Sequence, residues 1–115
     1  MKIISVLILL CAYISANNIE ITIIYGNDMP DKVVNTTYDE GATTALDLLK
    51  QVSDVVTAKK GRFTFVRSID GVEWNEQKFG WFYLMDGKSV KKMAENYVLK
   101  NEKSMMWVYK VEACY

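Results

Sequence analysis

The sequence contains no histidine, a single proline (Pro30) and only two cysteines in 115 residues. The missing histidine removes the commonest general base and the commonest metal ligand together. Cys11 falls in an apolar N-terminal run, so once that run is removed only Cys114 is left and no intrachain disulfide can brace the fold. Cys114 reads as a chain-end thiol, with an intermolecular disulfide as the alternative. A surplus of one charge is also lacking: 14 basic residues balance 14 acidic ones. That leaves no basic excess for a nucleic acid and no acidic tail. The chain has no Gly-rich phosphate loop and no clustered metal-ligand spacing, and Asp70, Asp86 and Glu102 stand in turn contexts where a carboxylate caps backbone groups. These absences argue against an enzyme and against a metal site.

The one long apolar run lies at the N-terminus. Lys2 precedes Ile3 to Ile14, a stretch broken only by Ser5, and Ile14-Ser15-Ala16 offers a cleavage site before Asn17. The pattern predicts a secretory signal peptide over residues 1–16, a secreted domain over 17–115 and no membrane span after cleavage. A lipoprotein signal ending at Cys11 would want a small residue where Leu10 stands. In a secreted eukaryotic chain Asn35-Thr36-Thr37 is a sequon, with Asn35 the candidate glycosylation site.

The remaining length suits one domain. Ile19 to Tyr25 and Lys32 to Tyr38 read as two strands around the turn cluster Gly26 to Asp31. Thr44, followed three residues on by Asp47, caps a helix whose apolar stripe is Ala45, Leu48, Leu49, Val52, Val55 and Val56, ending at Lys59-Lys60-Gly61. Arg62 to Ile69 is a strand ending in the Asp70-Gly71 turn. Tyr97-Val98-Leu99 and Met105 to Val111 are expected to form a last hairpin turned at Asn101-Glu102. Strand, strand, helix, then strands describes an α+β protein. The expected arrangement is a β-grasp (ubiquitin-like) roll with one amphipathic helix packed on a mixed sheet.

The stretch Phe79-Gly80-Trp81-Phe82-Tyr83-Leu84-Met85-Asp86-Gly87 dominates this second half. It reads as a strand feeding a two-residue hairpin at Asp-Gly. Three consecutive rings put aromatic surface on both faces of the strand, whereas a sheet with one wet face needs apolar residues only at alternate positions. The strand is therefore either covered on both sides or presents one face to a ligand or partner.

Ser68-Ile69-Asp70-Gly71-Val72, the Gly80 to Lys88 strand, Asn96 to Glu102, Met106-Trp107-Val108-Tyr109 and the helix start Glu40 to Asp47 occur in this order along the chain. Together they resemble the transcobalamin-like C-terminal domain family (DUF4430-type), the small β-domain of vitamin B12 carriers. The turn departs from the family pattern, since Asn101 runs straight into Glu102 without a glycine. The resemblance implies cobalamin as bound ligand rather than catalytic cofactor. It places the contacts on Trp81, Phe82, Tyr83 and Leu84, with Lys88, Lys91 and Asn96 as a rim and Lys92 beside them. It also implies a helical-barrel partner or a receptor, because the carriers' helical domain is missing from this sequence. Aromatic walls can cover a flat corrinoid, and lysines can meet its phosphate. A structural role competes at each position: Trp81 and Tyr83 could point into the core, and the lysines could form a solvated rim. The alternative to vitamin binding is a secreted interaction module that takes another polypeptide by β-augmentation.

Overall fold

A computed structural model describes residues 17–26, 28–74 and 79–111. The signal-peptide and Cys114 expectations lie outside these residues. The described chain is α+β: one helix, a five-stranded mixed sheet and a small three-stranded antiparallel sheet.

Strands β1 (Asn17–Ile24) and β2 (Lys32–Tyr38) pair antiparallel, with Ile21 opposite Val34. Helix α1 (Ala45–Val52) follows. Its start matches the sequence expectation: the Thr44 hydroxyl accepts the Asp47 amide at 3.1 Å, and the Asp47 carboxylate accepts the Thr44 amide at 3.3 Å. This reciprocal cap satisfies two of the amides that a helix end leaves without partners.

The expected end of the helix is wrong. It stops at Val52, and Val55–Lys60 is strand β3, which folds back on β4 (Phe63–Ile69) around Gly61. Val52, Val55 and Val56 are spaced as on a helix, but the last two lie in a strand. Their β-branched side chains favour a pleated backbone, and Ser53 is already extended (φ −146°, ψ 161°). A two-residue β5 (Val72–Glu73) completes the small sheet across Asp70-Gly71.

β6 (Phe79–Met85) turns through Asp86 and Gly87 into the two-residue β7 (Lys88–Ser89). Both turn residues take positive φ (49° and 79°), the backbone that a right-twisted two-residue hairpin demands. β8 (Ser104–Val111) lies between β1, to which it is parallel, and β6, to which it is antiparallel, giving the order β2-β1-β8-β6-β7.

The expected hairpin of Tyr97–Leu99 with β8 does not form. Val98 instead makes an isolated bridge to Thr44. The Tyr97 carbonyl accepts the Ala45 amide at 2.8 Å, and the Leu99 amide donates to Thr43 at 2.9 Å. This segment holds the start of the helix, which leaves both edges of β8 to long-range partners.

Alternation sorts the side chains onto two faces. On the inner face Ile19, Ile21, Ile23, Met105, Trp107, Trp81, Tyr83 and Met85 are buried together with Ala45, Leu46, Leu48 and Leu49 of α1, Leu99, and Val66 and Ile69 of the small sheet. A polar clamp joins the elements at one end. The Asp70 carboxylate accepts the Tyr25 hydroxyl, the Ser53 hydroxyl at 2.9 Å and the Asp54 amide at 3.0 Å, and faces the Lys32 ammonium at 3.4 Å. Burial alone would raise the Asp70 pKa, but these partners hold it below the usual carboxylate range.

Candidate functional site

β6 sends its residues in two directions. Trp81 and Tyr83 point inward and are 0% and 3% exposed. The Trp81 indole N–H donates to the Val72 carbonyl at 2.9 Å, and its ring meets Tyr25 edge-on (5.9 Å) and Tyr109 at a tilt (5.2 Å). Tyr83 donates its hydroxyl to the Lys92 carbonyl and stacks on Trp107 at 4.9 Å. Burial drives the Tyr83 pKa well above the usual phenol value. The Trp107 indole nitrogen is buried without a hydrogen-bond partner among the described residues, which costs stability in a dry core. Both site candidates, Trp81 and Tyr83, are thus core residues that fix the pitch of the strand.

Phe82 and Leu84 lie on the outer face, half-buried. The strand register sets them in two rows: Ile24, Val108 and Phe82 in one, and Thr22, Met106 and Leu84 in the next, with Val33 of β2 beyond Thr22. These side chains are half-buried, Val33 is exposed, and the core under α1 and the small sheet is built from the opposite face. The Lys110 ammonium stands 3.9 Å from the Phe82 ring centroid, a cation–π contact at the border of the wall. β7 pairs only with Leu84 and Met85, so no described strand flanks the remainder of that edge of β6.

Lys88 and Lys91 line an open cleft of about 480 Å³ together with Met85, Asp86, Ser89, Val90, Lys92, Tyr97 and Glu102. Its floor is fixed by carboxylates. Asp86 accepts the amides of Lys103 (2.8 Å) and Ser104 (2.9 Å), and Glu102 accepts those of Lys100 (2.8 Å) and Asn101 (3.2 Å). The Tyr97 hydroxyl donates to Glu102 at 2.5 Å. Burial and then this hydrogen bond raise the Tyr97 pKa to about 12. Burial would raise Glu102 as well, but Tyr97 and the backbone amides bring it below the ordinary value. Ser89, paired with Leu84, links the cleft to the apolar wall.

The expected site residues therefore occupy distinct places. Phe82 and Leu84 form part of a wall, Lys88 and Lys91 the cleft, and Trp81 and Tyr83 the core. Asn96 is exposed in a 3-10 turn (Ala94–Asn96) and does not line the cleft. Asn35 is exposed on β2, across from Glu20. Sequence reasoning missed Thr22, Ile24, Met106, Val108 and Lys110 as neighbours of Phe82, and Tyr97 and Glu102 as cleft walls. The alternation in Met105 to Lys110 carries part of that signal; the parallel β1–β8 pairing that aligns the rows leaves no local mark in the sequence.

No group of three or more His, Cys, Asp or Glu residues that could hold a metal ion occurs among the described residues, and no helix there is long and apolar enough to cross a membrane. The class that fold and surface define is a small α+β domain whose aromatic strand β6 is buried on one face and half-buried on the other. Residues 42–111 match the family described as a domain of unknown function, DUF4430, and the chain belongs to that family.

Two solved structures share the fold. A protein of Ruminococcus gnavus ATCC 29149, provisionally described as metal binding, superposes with a TM-score of 0.63 at 19% identity over 86% of this chain and 99% of its own. Haptocorrin in complex with Cbi superposes with a TM-score of 0.66 at 15% identity over 85% of this chain. This chain spans 26% of haptocorrin's length. The family match bears out the expected DUF4430-type domain, and the haptocorrin likeness shows the shared fold. No curated protein matches the sequence.

Proposed function

We propose that this protein is a secreted, non-catalytic corrinoid-binding module of the cobalamin-transport type, built on a β-grasp roll. The observation that carries the reading is the half-buried apolar wall of Phe82, Leu84, Val108 and Met106 on the face away from the core, which runs by way of Ser89 into a cleft bearing Lys88, Lys91 and Lys92. A corrinoid is flat and largely apolar across its ring, with amide arms and, in cobalamin, a phosphate. A sheet wall can cover the ring, and lysines at its rim can meet the anion. The fold likeness to a haptocorrin bound to Cbi supports the ligand class. A wall on one side of the ring accounts for a partner, such as a helical barrel, that would close over the other.

Titration calorimetry of the purified protein with cyanocobalamin and with cobinamide tests this. Saturable heat lost in Phe82→Ala and retained in Asn96→Ala is expected. Stronger binding of cobalamin than of cobinamide would place the nucleotide phosphate on the lysine rim. No heat with either ligand, with or without a helical-barrel partner, would end the proposal.

A second reading, polypeptide capture by β-augmentation, is favoured by β2. It is a seven-residue strand at the edge of the sheet with no neighbour on one side among the described residues. Glu20 donates its amide to Lys103, away from β2, so Asn35 across from it turns its own amide to the edge. A proline in place of Asn35 would remove that edge amide and weaken polypeptide capture without touching Phe82 or Leu84, which separates the two readings.

A further inference from the structure

The β3–β4 hairpin has a composition unlike the rest of the molecule. From Val55 to Ile69 it carries Lys59, Lys60, Arg62 and Arg67 and no acidic residue, in a chain whose overall charge is zero. Lys59, Lys60 and Arg62 cluster at the tip, are exposed, and make no ion pair among the described residues. Among the described residues the carboxylates of Glu95 and Glu73 bond to the hairpin, and both are engaged. Glu95 accepts the Thr64 amide at 3.1 Å, and Glu73 pairs with Arg67 at 3.1 Å.

The same tip exposes a large ring. Phe63 is 54% exposed and sits directly across the ladder from Lys60. Two residues further along the same face is Phe65, which meets the 43%-exposed Trp74 edge-on at 6.0 Å. β3 pairs with β4 in a sheet separate from the five-stranded one.

We propose that this hairpin docks the protein on a bilayer surface containing anionic phospholipid. Phe63 would enter the interface, Trp74 would lie at its edge, and Lys59, Lys60 and Arg62 would stand over the headgroups. Aromatic rings beside basic residues suit the boundary between acyl chains and headgroups, where each charge adds attraction and each ring buries apolar area. A nucleic acid fits less well. Stacking platforms present successive rings along a basic groove, whereas here one ring tops a narrow turn. The corrinoid wall lies on another sheet, so this docking is independent of the vitamin reading.

Co-sedimentation of the mature chain, residues 17–115, with vesicles of phosphatidylcholine alone, and of phosphatidylcholine mixed with phosphatidylglycerol, provides the test. Binding is expected to the mixed vesicles only and to weaken as salt rises. Affinity should fall about fivefold for each cation neutralised in Lys60→Gln and Arg62→Gln, the factor that corresponds to about 1 kcal/mol per basic residue near an anionic surface. Phe63→Ser should also weaken it, while Lys91→Gln and Lys92→Gln at the cleft should not. Circular dichroism of each variant confirms the fold. Equal binding to both vesicle types, no binding to either, or dependence on the cleft lysines would overturn the proposal. So would binding of a single-stranded oligonucleotide that the vesicles fail to displace.

Discussion

The two faces of the main sheet are made by the same strands yet follow different rules. On the inner face Trp81, Tyr83 and Trp107 are buried under the helix and the small sheet, and Trp81 and Tyr83 each place their polar atom on a backbone carbonyl. On the outer face Phe82, Leu84, Val108 and Met106 are equally apolar but only half-buried. The inner rings are held by fold stability, because removing one opens a cavity. The outer ones are not needed to that degree, and a wall that size, kept apolar while only half-buried, fits recognition better than packing.

The largest test of this contrast compares neighbours on one strand. Trp81→Ala should cost about 3–5 kcal/mol of unfolding free energy, while Phe82→Ala should cost about 1 kcal/mol or less. Urea denaturation of both variants measures it, and equal losses would show that the outer face is core as well.

The next test uses pH. Tyr97 packs edge-on against Tyr83 and has its pKa raised from 10.0 to about 12. The native state therefore keeps a proton that the unfolded state loses above pH 10. The stabilisation is complete below pH 10 and is lost as pH rises toward 12. Tyr97→Phe should make that alkaline decline shallower, as read by the denaturation midpoint at successive pH values. At the acid end Asp70 behaves in the opposite sense. Its depressed pKa stabilises the fold above the ordinary carboxylate value, and that contribution is lost as pH falls through the native value. Asp70→Asn should flatten the acid limb.

The smallest expected effect is on Trp107. Replacing it with Phe removes the unpartnered indole N–H along with some packing, and the two changes oppose each other. Thermal denaturation should show a shift of about 1 kcal/mol or less in either direction. A loss of several kcal/mol would show that the packing of the indole outweighs the relief of its buried N–H.

Local chemistry alone determined much of this protein. The Thr44–Asp47 cap, the turns at Asp70-Gly71 and Asp86-Gly87, the first two strands and the aromatic strand each follow from residues within a few positions of one another. Each formed as expected. The end of the helix was not legible. Val52, Val55 and Val56 satisfy helical spacing and strand propensity alike, and only pairing with β4 chose between them. The fate of Tyr97 to Leu99 was equally hidden, since its partners are Thr43 and Ala45, more than fifty residues away. The site divides the same way. Sequence marked Phe82, Leu84, Lys88 and Lys91, but which rings would face inward depended on a helix and a second sheet that cover one side only. The rows that set Ile24 and Val108 beside Phe82 come from the parallel pairing of the first and last strands, an alignment of distant segments that no local pattern encodes.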